Sequence, residues 1–178
     1  MRNHSATDDP PAGRTAFQRA TRVRRAGDGT WGVHIDPTWW IVMGPNGGYV
    51  AATMLRAVLA EVASADRRPR SLTVHYLRRP SAGAAEVHVT VERSGGSMTS
   101  ATASLVQDGV VLALALVALG ADRPSTVSFN DDVGLPMDAN GVPVPPPDAV
   151  PLVPVDPQRD IPMRRHFEIR WALGDRPF

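Results

Sequence analysis

The chain has 178 residues, 43% of them hydrophobic, with 19 basic and 18 acidic side chains and a net charge of +1. That length supports one packed domain plus extensions, and the small net charge implies no broad field toward nucleic acid or membrane surfaces. Without cysteine, disulfide frameworks, thiolate metal sites and cysteine nucleophiles are excluded. No N-terminal apolar stretch has the form of a signal peptide. The longest apolar run, Val110 to Leu119, falls far short of the roughly 20 residues of a spanning helix. A cytoplasmic place is the default expectation.

Residues 1–15 are polar, with an Asp-Asp-Pro-Pro run, and are expected to form a disordered arm. Phe17 to Arg25 carries Arg19, Arg22, Arg24 and Arg25. Such a cluster either meets phosphates or is a solvated face, and the second is the commoner role. Gly27-Asp28-Gly29-Thr30-Trp31-Gly32 matches G-x-G-x-x-G in letters. It is rejected as a dinucleotide site, because no clear strand precedes it and Val33-His34-Ile35-Asp36-Pro37 stands where a helix should begin. It reads as a turn feeding a strand over Thr30 to Ile35. Trp39 and Trp40 form an aromatic pair suited to core packing.

Met43-Gly44-Pro45-Asn46-Gly47-Gly48-Tyr49 opens the best-marked element. Val50, Met54, Leu55, Val58, Leu59 and Val62 then recur at three and four residues, which predicts a helix with a wide apolar face. Asn46 suits the N-cap, and the glycines leave backbone N–H groups uncovered at the positive helix end. That end suits an anion or a polarised carbonyl; it is equally an ordinary helix start. Arg67-Arg68-Pro69-Arg70 reads as a basic loop.

Leu72, Val74 and Tyr76 alternate with Ser71, Thr73 and His75, the period of a two-faced strand. Val87, Val89 and Val91 alternate with His88, Thr90 and Glu92 in the same way. Between these two strands, Arg79 to Gly83 is a turn; Ser94-Gly95-Gly96-Ser97 is the next. Met98 to Gln107 is a strand with small residues on its inner side. Asp108-Gly109 is a two-residue hairpin signal. Val110 to Leu119 comes next as a buried strand. Residues 122–162 are crowded with proline and read as a linker or surface strap. His166 to Trp171 alternates again, like one more strand. An antiparallel sheet with one apolar face needs a cover, and the single long helix supplies it.

That order, carrying Gly44-Pro45-Asn46-Gly47-Gly48-Tyr49, Ser71-Leu72-Thr73-Val74-His75-Tyr76-Leu77-Arg78-Arg79-Pro80, Glu92-Arg93-Ser94-Gly95-Gly96-Ser97 and Gln107-Asp108-Gly109, resembles the N-terminal half of type II, double-hotdog acyl-CoA thioesterases. The resemblance covers Trp31 to Gly120, and weakly His166 to Phe178. It implies an α+β hotdog fold, an antiparallel sheet of about five strands wrapped around one long central helix. It divides the chain into an arm (1–15), an N-terminal hotdog (16–121), a Pro-rich linker (122–162) and the first strand of a truncated second hotdog (163–178). It also implies hydrolysis of an acyl-CoA thioester by an activated water. The family's catalytic Asp, Thr or Ser, and Gln come mainly from its second hotdog, and the matching positions lie beyond Phe178. Gln107 mirrors the second-half glutamine and Ser71 opens the motif that mirrors the hydroxyl strand. One departure is that Gly96 stands where family members often carry the second arginine of Arg-x-Gly-Arg-Ser.

Thioester hydrolysis needs a base for water, donors for an oxyanion and a slot for the acyl chain. The catalytic candidates are Gln107, Ser71 and Asp36; the substrate-binding candidates are Asn46, Gly47, Gly48 and His75. Each has a plainer role: Asp36-Pro37 is an ordinary turn pair, and His34 and His75, also eligible as bases, are more often structural on a half-buried strand. No serine lies in G-x-S-x-G, and no ligand cluster has metal spacing, so neither a metal nor another cofactor is expected. Arg67, Arg68, Arg70, Arg78 and Arg79 are candidates for CoA phosphates, with solubility as the larger share of their role. The expected partners are acyl-CoA or a related thioester and a second copy of the chain, pairing hotdog to hotdog; neither nucleic acid nor membrane is expected. A non-catalytic acyl-binding or structural hotdog is the main alternative, and a hotdog-type dehydratase a third.

Overall fold

Asn46 sets the start of the long helix as expected. Its side-chain oxygen accepts the Tyr49 backbone N–H at 3.1 Å, and α2 runs from there over Gly47–Val62. The computed structural model describes residues 15–123, 137 and 141–172. The expected arm, except Thr15, lies outside the described residues, as do positions 124–136 and 138–140 of the Pro-rich segment and 173–178.

Before α2 come a short helix, α1 (Ala16–Ala20), and two strands, β1 (Arg24–Gly27) and β2 (Thr30–Ile35). After it come β3 (Arg67–Tyr76), β4 (Gly83–Ser94), β5 (Met98–Gln107) and β6 (Val110–Ala121). The six strands form one sheet in the order β1-β2-β4-β5-β6-β3, and every neighbouring pair is antiparallel. Asp108 and Gly109 have φ of 52° and 75°, the positive values that a two-residue hairpin turn needs at both positions. The β5–β6 hairpin therefore closes where the Asp-Gly pair predicts it.

The apolar face of α2 (Tyr49, Val50, Met54, Ala57 and Val58) is buried against the inner face of the sheet. Opposite it lie Val87 and Val89 on β4, Ala101, Ala103 and Leu105 on β5, and Ala113, Ala115, Val117 and Leu119 on β6. Alanines on the central strands leave room for the helix to sit close. Each large aliphatic side chain buried here contributes about 1.5–3 kcal/mol of transfer free energy. This is the expected α+β hotdog arrangement, with one strand more than expected.

The additional strand, β1, lies in the arginine-rich segment, and all four of its residues are exposed. A strand does therefore precede the glycine motif. The motif leads into another strand rather than a helix, and Gly29 makes the β1–β2 turn with φ +62°, where a Cβ would come within 2.6 Å of the Val89 carbonyl oxygen. The Arg67–Arg70 stretch, expected as a loop, is the first part of β3, paired with the end of β6. As an edge strand, β3 tolerates both the charges and Pro69, since one side of its ladder needs no partner.

The Pro-rich segment crosses back over the start of α2. Pro162–His166 forms a 3₁₀ turn. Met163 N–H donates to the Trp40 carbonyl at 3.0 Å, and His166 Nε2 lies 3.0 Å from Thr38 Oγ1. The strand expected over His166 to Trp171 is not formed as a ladder. Its strand-type pairing with the chain ahead of it, among the described residues, is one bridge, Leu152 to Arg170, and a bond from Val153 N–H to the Ile169 carbonyl at 2.8 Å. An alternating sequence becomes a strand only where a partner runs alongside it, and here the partner is two residues long.

Candidate functional site

Two clefts lie on either side of α1. The short helix is held firmly. Thr15 and Gln18 form a reciprocal capping box, and Arg56 from α2 donates to the Gln18 carbonyl at 2.9 Å and to Thr21 Oγ1 at 2.8 Å. The Tyr49 hydroxyl shares its proton between the Ala20 carbonyl at 3.1 Å and the His34 carbonyl at 2.9 Å. It accepts the Asp36 N–H at 3.1 Å. Burial raises the pKa of this hydroxyl above its ordinary value; the Asp36 N–H bond opposes the shift and the Asp36 carboxylate adds to it.

The first cleft, of about 630 Å³, is lined by Phe17, Trp39, Tyr49 and Phe167, with Asn46 and Gly48 at the start of α2. Trp39 is sandwiched: the Tyr49 ring lies 5.8 Å from it at 10°, and the His166 ring 4.1 Å at 4°. Asn46 caps Tyr49 N–H, while the N–H groups of Gly47 and Gly48 have no acceptor within the helix, as in any first turn. Gly48 is exposed. Gly47 is overhung by Tyr76, whose hydroxyl donates to the Gly47 carbonyl at 2.6 Å. A Cβ at Gly47 would come within 3.2 Å of that hydroxyl.

The second cleft, of about 860 Å³, lies between the α1–β1 segment and the β5–β6 hairpin and contains Asp36, His34 and Gln107. Gln107 is already engaged. Its Oε1 accepts Ser81 N–H at 2.8 Å, and its Nε2 donates to the Ser81 carbonyl at 3.1 Å and the Ala84 carbonyl at 3.0 Å. It clamps the loop that leads into β4. Asp36 Oδ1 accepts Thr38 N–H at 2.8 Å and so caps the short Pro37–Trp39 turn.

The remaining candidates stand apart. Ser71 and His75 are exposed on edge strand β3, on the side opposite the half-buried Leu72 and Val74. Neither lines either cleft. The candidates thus fall into three groups: Asn46, Gly47 and Gly48 at the helix start, Asp36 and Gln107 in the second cleft, and Ser71 and His75 on β3. Among the described residues, no group of His, Asp or Glu is placed to hold a metal ion, and no helix is long and apolar enough to cross a membrane.

Three of the arginines considered for phosphate contacts hold the backbone or a carboxylate instead. Arg67 donates to the Gly95 and Gly96 carbonyls at 2.6 and 3.1 Å, Arg70 to Asp122 at 2.5 Å, and Arg79 to the Met43 carbonyl at 2.6 Å. Arg67 thereby steadies the turn in which Gly96 departs from the expected pattern. Sequence reasoning missed Tyr49, Tyr76, Arg56 and His166. A tyrosine one turn into an apolar helix face is a readable signal, since its ring packs while its hydroxyl must find partners. The other three reach distant elements and leave no local pattern.

Residues 36–120 match the family described as acyl-CoA thioesterase N-terminal domain. The chain is similar to a hot dog-fold protein of unknown function from Alicyclobacillus acidocaldarius, at 26% identity and a TM-score of 0.75 over 92% of this chain and 57% of that one. It is similar to a candidate thioesterase II from Thermobifida fusca, at 29% identity and a TM-score of 0.65 over 80% of this chain and 50% of that one. With an acyl-CoA thioesterase II from Mycobacterium marinum it shares the fold, at 21% identity and a TM-score of 0.61 over 78% of this chain and 52% of that one. The chain therefore spans about half the length of these structures. No curated protein sequence matches it.

Proposed function

We propose that the chain, whose residues 36–120 match the acyl-CoA thioesterase N-terminal domain family, is the N-terminal hotdog part of a hydrolase that cleaves an acyl-CoA thioester to the free acid and CoA. The observation that carries this reading is the start of α2. The backbone donor at Gly48 stands in a cleft lined by Phe17, Trp39 and Phe167, with Arg165 and His166 also at its wall. Such a place suits a thioester carbonyl with its acyl group against carbon, and donors aimed at a developing oxyanion are often the largest catalytic term.

Asp36 and Gln107 remain the proposed water-side pair, but they line the other cleft, and Gln107 is fully engaged with backbone. Within this chain the donors and the water-side groups do not meet. In the proposal a second hotdog completes the site, and residues 163–178 are the beginning of that unit. A second copy of the chain is the other way to supply it. Edge strand β3 offers the seam, since its Leu72–Tyr76 portion pairs with β6 on one side and, among the described residues, has no strand on the other. The proposed compartment is the cytoplasm.

A thiol-release assay across acyl lengths, run on this chain and on a version extended by a second hotdog, tests the proposal. Release by the extended protein is expected; its absence at every length overturns the hydrolase reading. A non-catalytic acyl-binding hotdog is favoured by one observation, the locked Gln107. Calorimetric titration with a non-hydrolysable acyl-CoA thioether, showing binding where no turnover occurs, would select it. Light scattering at micromolar concentration checks the pairing, and a monomer would count against it.

A further inference from the structure

The Pro-rich segment reads in the sequence as a linker or surface strap, yet it builds part of a cleft. We propose that residues 150–170 form a lid that opens and closes over an acyl group held in the aromatic cleft. Four of the residues lining that cleft, Met163, Arg165, His166 and Phe167, come from the strap. All four lie outside the family match of residues 36–120. The cleft volume of about 630 Å³ is within the range of small-ligand sites. A ligand there meets strap and body together, so its binding favours the docked strap. The lid itself rests on contacts within this chain; its acyl occupant rests on the proposed hydrolase reading.

The strap is braced against itself. Arg164, 8% exposed, donates to the Phe167 and Val153 carbonyls, and Arg165 Nε donates to the Pro162 carbonyl at 3.1 Å. Val153 N–H reaches the Ile169 carbonyl at 2.8 Å, and Arg170 donates to the Val150 carbonyl. Residues 150–153 and 162–170 are therefore cross-tied and can move as one piece. That piece joins the body of the domain at residues 38–40. Met163 N–H donates to the Trp40 carbonyl at 3.0 Å, and His166 Nε2 lies 3.0 Å from Thr38 Oγ1. The His166 ring stacks on Trp39 at 4.1 Å, and Phe167 meets the same indole edge-on at 6.0 Å. With the strap in place Trp39 is 5% exposed, and its Nε1–H has no acceptor among the described residues. A buried donor without an acceptor weakens the state that buries it. A piece tied firmly to itself, and to its neighbour through one short turn, opens locally ahead of global unfolding.

Residue-resolved amide exchange together with binding kinetics tests it. Met163 N–H, whose acceptor belongs to the body, is expected to exchange at least about a hundredfold faster than the amides of Met54 and Val58 in α2. Thr38→Val removes the hydroxyl that His166 meets without touching the cleft lining. It should speed Met163 exchange about fivefold, the worth of one hydrogen bond, and leave exchange in β5 unchanged. The probe ligand is S-(2-oxodecyl)-CoA, a thioether that cannot be hydrolysed. It should slow Met163 exchange, and Thr38→Val should raise its association and release rates together by the same fivefold while its affinity holds. Circular dichroism reports folding of the variant. A Met163 amide that exchanges no faster than those of α2 makes the strap a fixed wall and overturns the proposal. So do probe rates that stay unchanged in folded Thr38→Val, or a probe that does not bind. Thiol release by an extended protein with a slow Met163 amide keeps the hydrolase reading and discards the lid. Gated probe binding without thiol release keeps the lid on a non-catalytic binder, so the two can fail separately.

Discussion

On one side of α1 the cleft wall is mainly aromatic: Phe17, Trp39, Tyr49 and Phe167, joined by His166 and Arg165, with the helix start opening into it. On the other, Arg19, Arg22 and Arg24 and the carboxylates of Asp36, Glu86 and Asp108 share the lining with alanine and valine. The groups that look most chemical in the sequence, Asp36 and Gln107, are in the charged cleft and hold backbone there. The group that looks most ordinary, the glycine Gly48, is in the aromatic cleft with its first-turn N–H outside the helix ladder. A side chain's chemistry is only as available as its hydrogen bonds leave it, and backbone donors at a helix start are open by construction.

The largest test of this contrast is Tyr49, which pins the partition between the clefts. Tyr49→Phe leaves Asp36 N–H and a carbonyl unpaired in a buried place and should cost about 2–3 kcal/mol in urea unfolding. The same residue gives a pH signature. Its folded pKa is raised, so the folded state holds the proton longer than the unfolded chain. The stability it contributes is present below the unfolded value, about pH 10, and is lost as pH rises through the folded one. The wild type should therefore weaken more steeply than Tyr49→Phe in alkaline unfolding series.

Gln107→Ala comes next. Loss of its three bonds to the Ser81–Ala84 loop should cost about 1–2 kcal/mol and speed amide exchange at Ser81. A fall in thiol release without these effects would return Gln107 to a water-orienting role and blur the contrast. Asn46→Ala removes the α2 cap and should cost about 1 kcal/mol in thermal or urea unfolding. Ser71→Ala and His75→Ala, both exposed and outside either cleft, should change stability by less than about 0.5 kcal/mol. A large effect of either on CoA affinity would reveal a third region that the contrast omits.

Much of the fold was legible because its signals are local. Asp108-Gly109 specifies its own turn, the Val87, Val89, Val91 alternation specifies a face, and Asn46 before two glycines specifies a helix start. β1 was not legible, because four exposed residues carry no alternation and the strand exists only through its pairing with β2. The same dependence hid the first part of β3, which β6 draws into the ladder. It also misled at His166 to Trp171, where alternation had almost no partner. The site was less legible still. Whether Gln107 orients water or clamps a loop depends on where Ser81 and Ala84 return, and whether His166 stacks on Trp39 depends on the path of the strap. Residues far apart in the chain decide both.

The strand order also has a consequence in time. β4, β5 and β6 are joined by tight turns and pair with their chain neighbours, so their closure entropy is small. β2 waits for β4 across the whole excursion of residues 36–82, and β3 must reach the far edge beyond β6. Non-local pairings of this kind slow folding. The three-stranded meander of residues 83–121 is thus expected to form first and serve as the template, with α2 and both edges docking later. Substitutions in the Asp108-Gly109 turn should slow refolding, while those at the start of α2 should mainly hasten unfolding.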